Sequence, residues 1–176
     1  FSIEELDLNN NNLGLDFLNR LNINSIKTIC LSNTNLNLSF NILKKFNNLN
    51  LMELDLSAGD LDFNHFYNLY HSNSLIKLSL AKTNITNYLL DTQIKFDKFP
   101  KLEYLDLSQN LIKEILVKYF QFNLKLRYLS LSHNKIVHIE YLSFAKNSIL
   151  EILDLAYNQL TFVDTNIIEP SFYVKS

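Results

Sequence analysis

Four aspartates, Asp7, Asp55, Asp106 and Asp154, each sit between two leucines in an L-D-L triplet. Carboxylates gathered in one place can share a proton for acid–base work or hold a cation. The other groups with chemical potential are few. None of the histidines, His65, His71, His133 and His138, falls in an H-E-x-x-H arrangement or beside a cysteine at metal-ligand spacing. The lone Cys30 can form no internal disulfide, assigns no redox compartment, and reads as a passive small residue. Only two glycines, Gly14 and Gly59, are present, so no glycine-rich loop can cradle phosphates. No cofactor, no metal and no catalytic set is expected, so the chain is not read as an enzyme.

What positions the aspartates is a repeat. Segments fitting L-x-x-L-x-L-x-x-N-x-L begin at Ile3, Ile26, Leu51, Leu75, Leu102, Leu126 and Leu150, at spacings of 23, 25, 24, 27, 24 and 24 residues by subtraction. The four apolar slots hold Ile or Leu in all seven copies, from Ile3, Leu6, Leu8 and Leu13 to Leu150, Leu153, Leu155 and Leu160. With 47% hydrophobic residues, apolar occupancy of all 28 slots by chance has a probability on the order of 10⁻⁹.

The alternation around Leu105 and Leu107, or Leu129 and Leu131, predicts a short strand with leucines turned inward and their neighbours outward. Seven such strands stacked in parallel bury for one another the apolar face that no single repeat can bury alone. The four aspartates then occupy the outward fifth slot, where Ser79 and Ser130 intervene at a strand spacing of about 4.8 Å. They form a mild acidic stripe and not a proton-sharing pair. The ninth slot reads Asn11, Thr34, Gly59, Thr83, Asn110, Asn134 and Asn158. A buried amide there can satisfy the backbone where the chain leaves the strand, and Gly59 cannot, so the ladder is expected to be weakest near the third repeat.

EYLDLSQNLI at 103 to 112 and RYLSLSHNKI at 127 to 136 are similar to the leucine-rich repeat family, and the resemblance covers nearly the whole chain. It implies an α/β solenoid: a horseshoe with a parallel sheet on its concave face and irregular or short helical segments on its convex face. The 24-residue subclass carries a Phe near the nineteenth slot, filled here by Phe120 and Phe144, with Ile115 and Ile139 at the fourteenth. The last copy approximates this with Val163 and Ile168, and the first three hold Leu21, Lys44 and Leu69. This subclass resembles Toll-like receptor ectodomains, which implies an extracellular or cell-surface recognition module whose partner is a protein or another macromolecule, with receptor dimerisation as a second contact. The alternative is an intracellular adaptor or regulatory subunit that uses the same face for protein–protein interaction.

The chain reads as one domain over 1–176. It opens part way into the pattern without an initiator methionine, as a fragment of a longer protein would. A formal charge of −2 with no block of like charges gives no footprint for nucleic acid or an anionic membrane surface. No apolar run reaches the roughly 18 residues of a membrane span. Two Asn-x-Ser/Thr triplets, at Asn37 and Asn84, are glycan acceptors if the chain is secreted. With 25 Asn and 22 Ser plus Thr, random placement alone yields about three, so they do not argue for secretion. The extra residues of the fourth repeat fall between Tyr88 and Pro100 and are read as a solvated loop.

Outward side chains come from the third, fifth, seventh and eighth slots. The third slot runs Glu5, Thr28, Glu53, Lys77, Tyr104, Tyr128 and Ile152, and the eighth Asn10, Asn33, Ala58, Lys82, Gln109, His133 and Tyr157. A polar first half thus gives way to an aromatic second half. Tyr104, Tyr128, His133, Ile152 and Tyr157 are expected to form one contiguous patch and, with Arg127 and Lys82, to be the partner-binding residues, because exposed aromatics supply large contact area at low entropy cost.

Overall fold

A computed structural model describes residues 3–13, 25–34, 46, 50–70 and 73–167. Seven three-residue strands form one parallel sheet: β1 (Glu5–Asp7), β2 (Thr28–Cys30), β3 (Glu53–Asp55), β4 (Lys77–Ser79), β5 (Tyr104–Asp106), β7 (Tyr128–Ser130) and β9 (Ile152–Asp154), in that order. Between them β6 (Glu114–Ile115) and β8 (His138–Ile139) pair in parallel on the opposite side of the coil. The register is in phase throughout. Leu105 pairs with Leu129 and Leu129 with Leu153, one repeat to the next.

Each strand is so short because only its middle residue faces the core. Leu54, Leu78, Leu105 and Leu129 are buried, and their neighbours on either side are less so. The parallel ladder continues past the strand. The eighth-slot N–H of each of the first six repeats donates to the seventh-slot carbonyl of the next, as from Gln109 to Ser132 and from His133 to Ala156, both at 2.9 Å. To keep that N–H aimed at its neighbour while the chain turns, the eighth-slot residue adopts left-handed backbone in all seven repeats. Its φ lies between 52 and 59° at Asn10, Asn33, Ala58, Lys82, Gln109, His133 and Tyr157.

Behind the sheet the ninth-slot amides tie the turns together. Asn134 donates to the carbonyls of Leu107, Leu131 and Ser132 and accepts from the Ile112 N–H; Asn110 and Asn158 repeat the pattern. The convex side is held by an aromatic spine. Phe96, Phe120 and Phe144 stack with centroids 5.8 and 6.0 Å apart, all buried. Asn123 and Asn147, 24 residues apart, form a second buried amide ladder there, donating back to the carbonyls of Phe96 and Phe99 and of Phe120 and Asn123.

The extra length of the fourth repeat is folded, and not a solvated loop. Thr86 accepts from the Leu89 N–H and caps a helix over Asn87–Thr92, and a 3-10 turn follows at Phe96–Lys98. Leu90 and Ile94, four residues apart, bury with Phe96 and Phe99, so apolar side chains draw the segment onto the core. Leu69 fills its nineteenth slot fully buried, whereas Leu21, Lys44 and Ile168 lie outside the described residues. At the two outer strands, Leu6, Leu8, Leu153 and Leu155 are only partly covered, having a neighbouring repeat on one side only.

Candidate functional site

The fifth-slot aspartates turn out to shape the strand ends. Asp7, Asp55, Asp106 and Asp154 each accept a backbone N–H two residues on, from Asn9, Ser57, Ser108 and Ala156, at 2.8 to 3.0 Å. That N–H, with help from Ser132, Ser130 and His133, holds the Asp154 carboxyl below the usual carboxylate range. Cys30 sits between Asp7 and Asp55 in this row, and partial burial followed by those carboxylates pushes its thiol up, so it stays protonated. Among the described residues no group of three or more His, Cys, Asp and Glu is placed to hold a metal ion. Nor is any helix among them long and apolar enough to cross a membrane.

In-phase pairing places Tyr104, Tyr128 and Ile152 side by side along the third slot. The two tyrosine rings stack 4.3 Å apart and within 3° of parallel. Partial burial, then the charge of Asp106, raises the Tyr104 phenol to about 12, so it remains neutral. A second row comes from the eighth slot, where the rings of His133 and Tyr157 stack at 4.2 Å and 12°. Between the two rows lies a low polar floor of Asp106, Ser130 and Asp154 with Ser108 and Ser132, in which Ser130 donates to Asp154 at 3.4 Å. The arrangement is two aromatic rims along a polar channel. Tyr157 is 76% and Ile152 53% exposed, which leaves both open to a partner.

Arg127 lies in the second slot and pairs with Glu103 at 3.8 Å and with Glu151, so its charge is already countered by its own neighbours. Lys82 stands apart, exposed, one repeat before the aromatic rows. It borders an open recess of about 440 Å³ that also touches Thr34, Gly59, Thr83 and Asn84. That recess coincides with three successive ninth slots without an amide. Thr34 and Thr83 donate to the carbonyls of Leu31 and Leu80 in their own repeats, and Gly59 has no side chain to offer. Asn84 is exposed with left-handed backbone, but the hydroxyl of its acceptor triplet, Thr86, caps a helix. Asn37 lies outside the described residues.

The model of the family "Leucine rich repeat" matches residues 90–136 and 124–169. The chain carries leucine-rich repeats. Its fold is that of solved leucine-rich repeat structures. An internalin C2 from Listeria monocytogenes is similar at 20% identity, covering 92% of this chain and 65% of that one, with a TM-score of 0.71. The leucine-rich repeat domain of APL1 is similar at 22% identity, covering 93% of this chain and 42% of that one, with a TM-score of 0.64. TLR13, in a complex with ssRNA13, is similar at 30% identity over 80% of this chain and 19% of that one, with a TM-score of 0.60, which supports the Toll-like resemblance. The chain thus spans less than two thirds of each of these neighbours. No curated protein matches it. As a leucine-rich repeat fold it offers a surface for protein or ligand recognition.

Two features of the site were missed by sequence reasoning. The left-handed eighth slot had a signal in Asn10, Asn33 and His133, residue types enriched in that backbone region. The second amide ladder had one in the matched positions of Asn123 and Asn147.

Proposed function

We propose that the concave face of repeats five to seven binds a macromolecular partner through Tyr104, Tyr128, Ile152, His133 and Tyr157, as the recognition surface of an extracellular, receptor-type protein of the Toll-like kind. One observation carries this reading. His133 and Tyr157 hold left-handed backbone, yet both are exposed, and their rings contribute nothing to the core. A bulky residue at such a φ costs about 1 kcal/mol or more, a cost that a partner contact would offset. The Toll-like part rests on the phenylalanine spine of the 24-residue register and on the similarity to TLR13.

The test is a randomised peptide library displayed on phage and selected against the folded protein. Binders are expected to lose affinity at least tenfold for Tyr128→Ala/Tyr157→Ala and to keep it for Tyr88→Ala/Tyr141→Ala, two exposed tyrosines away from the sheet. Binders indifferent to the first pair, with its melting transition unchanged, would remove this face from consideration.

A further inference from the structure

Resting on that reading, we propose that the partner presents arginine or lysine side chains to the channel between the two aromatic rims. The outward slots, third, fifth, seventh and eighth, together with the second slot, which just precedes the strand and is exposed at Glu4, Lys27, Arg127 and Glu151, hold nine carboxylates against Lys27, Lys77, Lys82 and Arg127, a net of −5. The other residues of the sequence sum to +3, which together give the chain's −2. Negative charge is thus collected on the sheet face.

The cations on that face are mostly engaged. Lys27 pairs with Glu4 at 3.0 Å, Lys77 with Glu53 at 2.9 Å, and Arg127 with Glu103 and Glu151. On the sheet face of repeats five to seven this leaves Asp106 and Asp154 as the carboxylates for which no ion pair is found among the described residues. Each gives one oxygen, Oδ1, to its own turn. Ser130 reaches the other oxygen of Asp154 at 3.4 Å, and the Ser132 hydroxyl also bears on that carboxyl.

Both acids lie in the fifth slot, two positions along the strand from the third-slot row, about 7 Å away. A guanidinium or ammonium laid there meets a carboxylate, while the exposed rings beside it cover the apolar stem that carries the charge. A phosphate backbone, or an acidic segment, would meet two like charges. The acids therefore set the charge of the partner, and the rings supply contact area for the stem of the same side chain.

The experiment takes phage-selected peptides whose binding needs Tyr128 and Tyr157, sequences them, and measures their synthetic forms against three proteins. These are the wild type, Asp106→Asn/Asp154→Asn, which keeps the Oδ1 acceptors of the turns, and Asp60→Asn/Asp97→Asn, which removes the same charge away from the sheet face. Enrichment in Arg and Lys is expected, with about tenfold weaker binding to the first variant and no change with the second. Tyrosine-dependent binders that are neutral or acidic would overturn the cationic class and leave the concave-face reading standing. So would equal affinity for all three proteins, an equal loss in both variants, or capture of a single-stranded oligouridylate by the same face. Binders that ignore the tyrosines would overturn the earlier reading and this one with it.

Discussion

The imidazole of His133 lies 4.2 Å from the phenol ring of Tyr157, although each residue reaches that position from a left-handed backbone with φ of 54 and 55°. The turn demands that conformation so that the His133 N–H can meet the Ala156 carbonyl, and Asn10 and Asn33 fill the equivalent slot with a residue type suited to it. Side chains that are both exposed and poorly matched to their backbone are the mark of a surface shaped by something other than folding.

Stability and recognition should therefore move in opposite directions at these two positions. His133→Asn and Tyr157→Asn are each expected to raise stability by about 0.5–1 kcal/mol in urea unfolding, because asparagine tolerates the left-handed region. The same changes remove the outer ring stack and should weaken tyrosine-dependent ligands severalfold. Loss of stability in either variant would show that the ring stack outweighs the backbone strain.

The architecture was legible because solenoid packing repeats one decision seven times. Leu105 and Leu129 are fully buried and Asp106 and Tyr128 half-exposed, as a two-residue alternation requires. Side-by-side placement of Tyr104, Tyr128 and Ile152 followed from the same register. The division into two rims was not legible, because it depends on side-chain rotamers and on the fifth- and seventh-slot floor between them. The helix at Asn87–Thr92 escaped notice for another reason. Six residues are too few for helical periodicity to emerge, and its stability comes from the Thr86 cap and from Leu90 packing on the core. Ala58, Lys82, Gln109 and Tyr157 carry no compositional sign of a left-handed turn, since the neighbouring strand imposes it.

The asparagine ladder makes opposite predictions at its strongest and weakest rungs. Asn134→Ala removes donors from three carbonyls and the acceptor of the Ile112 N–H in a buried site, and should cost about 3 kcal/mol. Gly59→Asn should do the reverse. A Cβ added there stands 3.0 Å from the Leu56 carbonyl oxygen, a contact that requires the backbone to shift by a few tenths of an ångström. The new amide then reaches into the recess beside Thr34 and Thr83. A gain of about 1 kcal/mol is expected, read as a higher melting temperature, and a lower one would mean that the backbone at Gly59 cannot yield.

Acid should expose how far the helical insert of the fourth repeat depends on charge. Asp91, on that helix, receives Lys118 of the next repeat at 2.6 Å and the Tyr119 hydroxyl at 3.1 Å, and the Lys118 hydrogen bond is the main reason its carboxyl titrates below the ordinary value of 3.8. A folded-state value below the unfolded one means that the native protein binds fewer protons across that window. The stabilisation is therefore complete above the unfolded value and disappears as pH falls through the folded one. Asp62 and Asp154 are lowered in the same direction and add to the trend. Melting temperature should hold steady from pH 7 to about 5 and fall below about 4. Asp91→Asn should melt lower than the wild type at pH 7, and the gap should narrow as pH falls from the ordinary carboxylate value through the lower native one. A gap that stays unchanged throughout that descent would assign the contribution of Asp91 to its hydrogen-bond geometry and not to its ionisation.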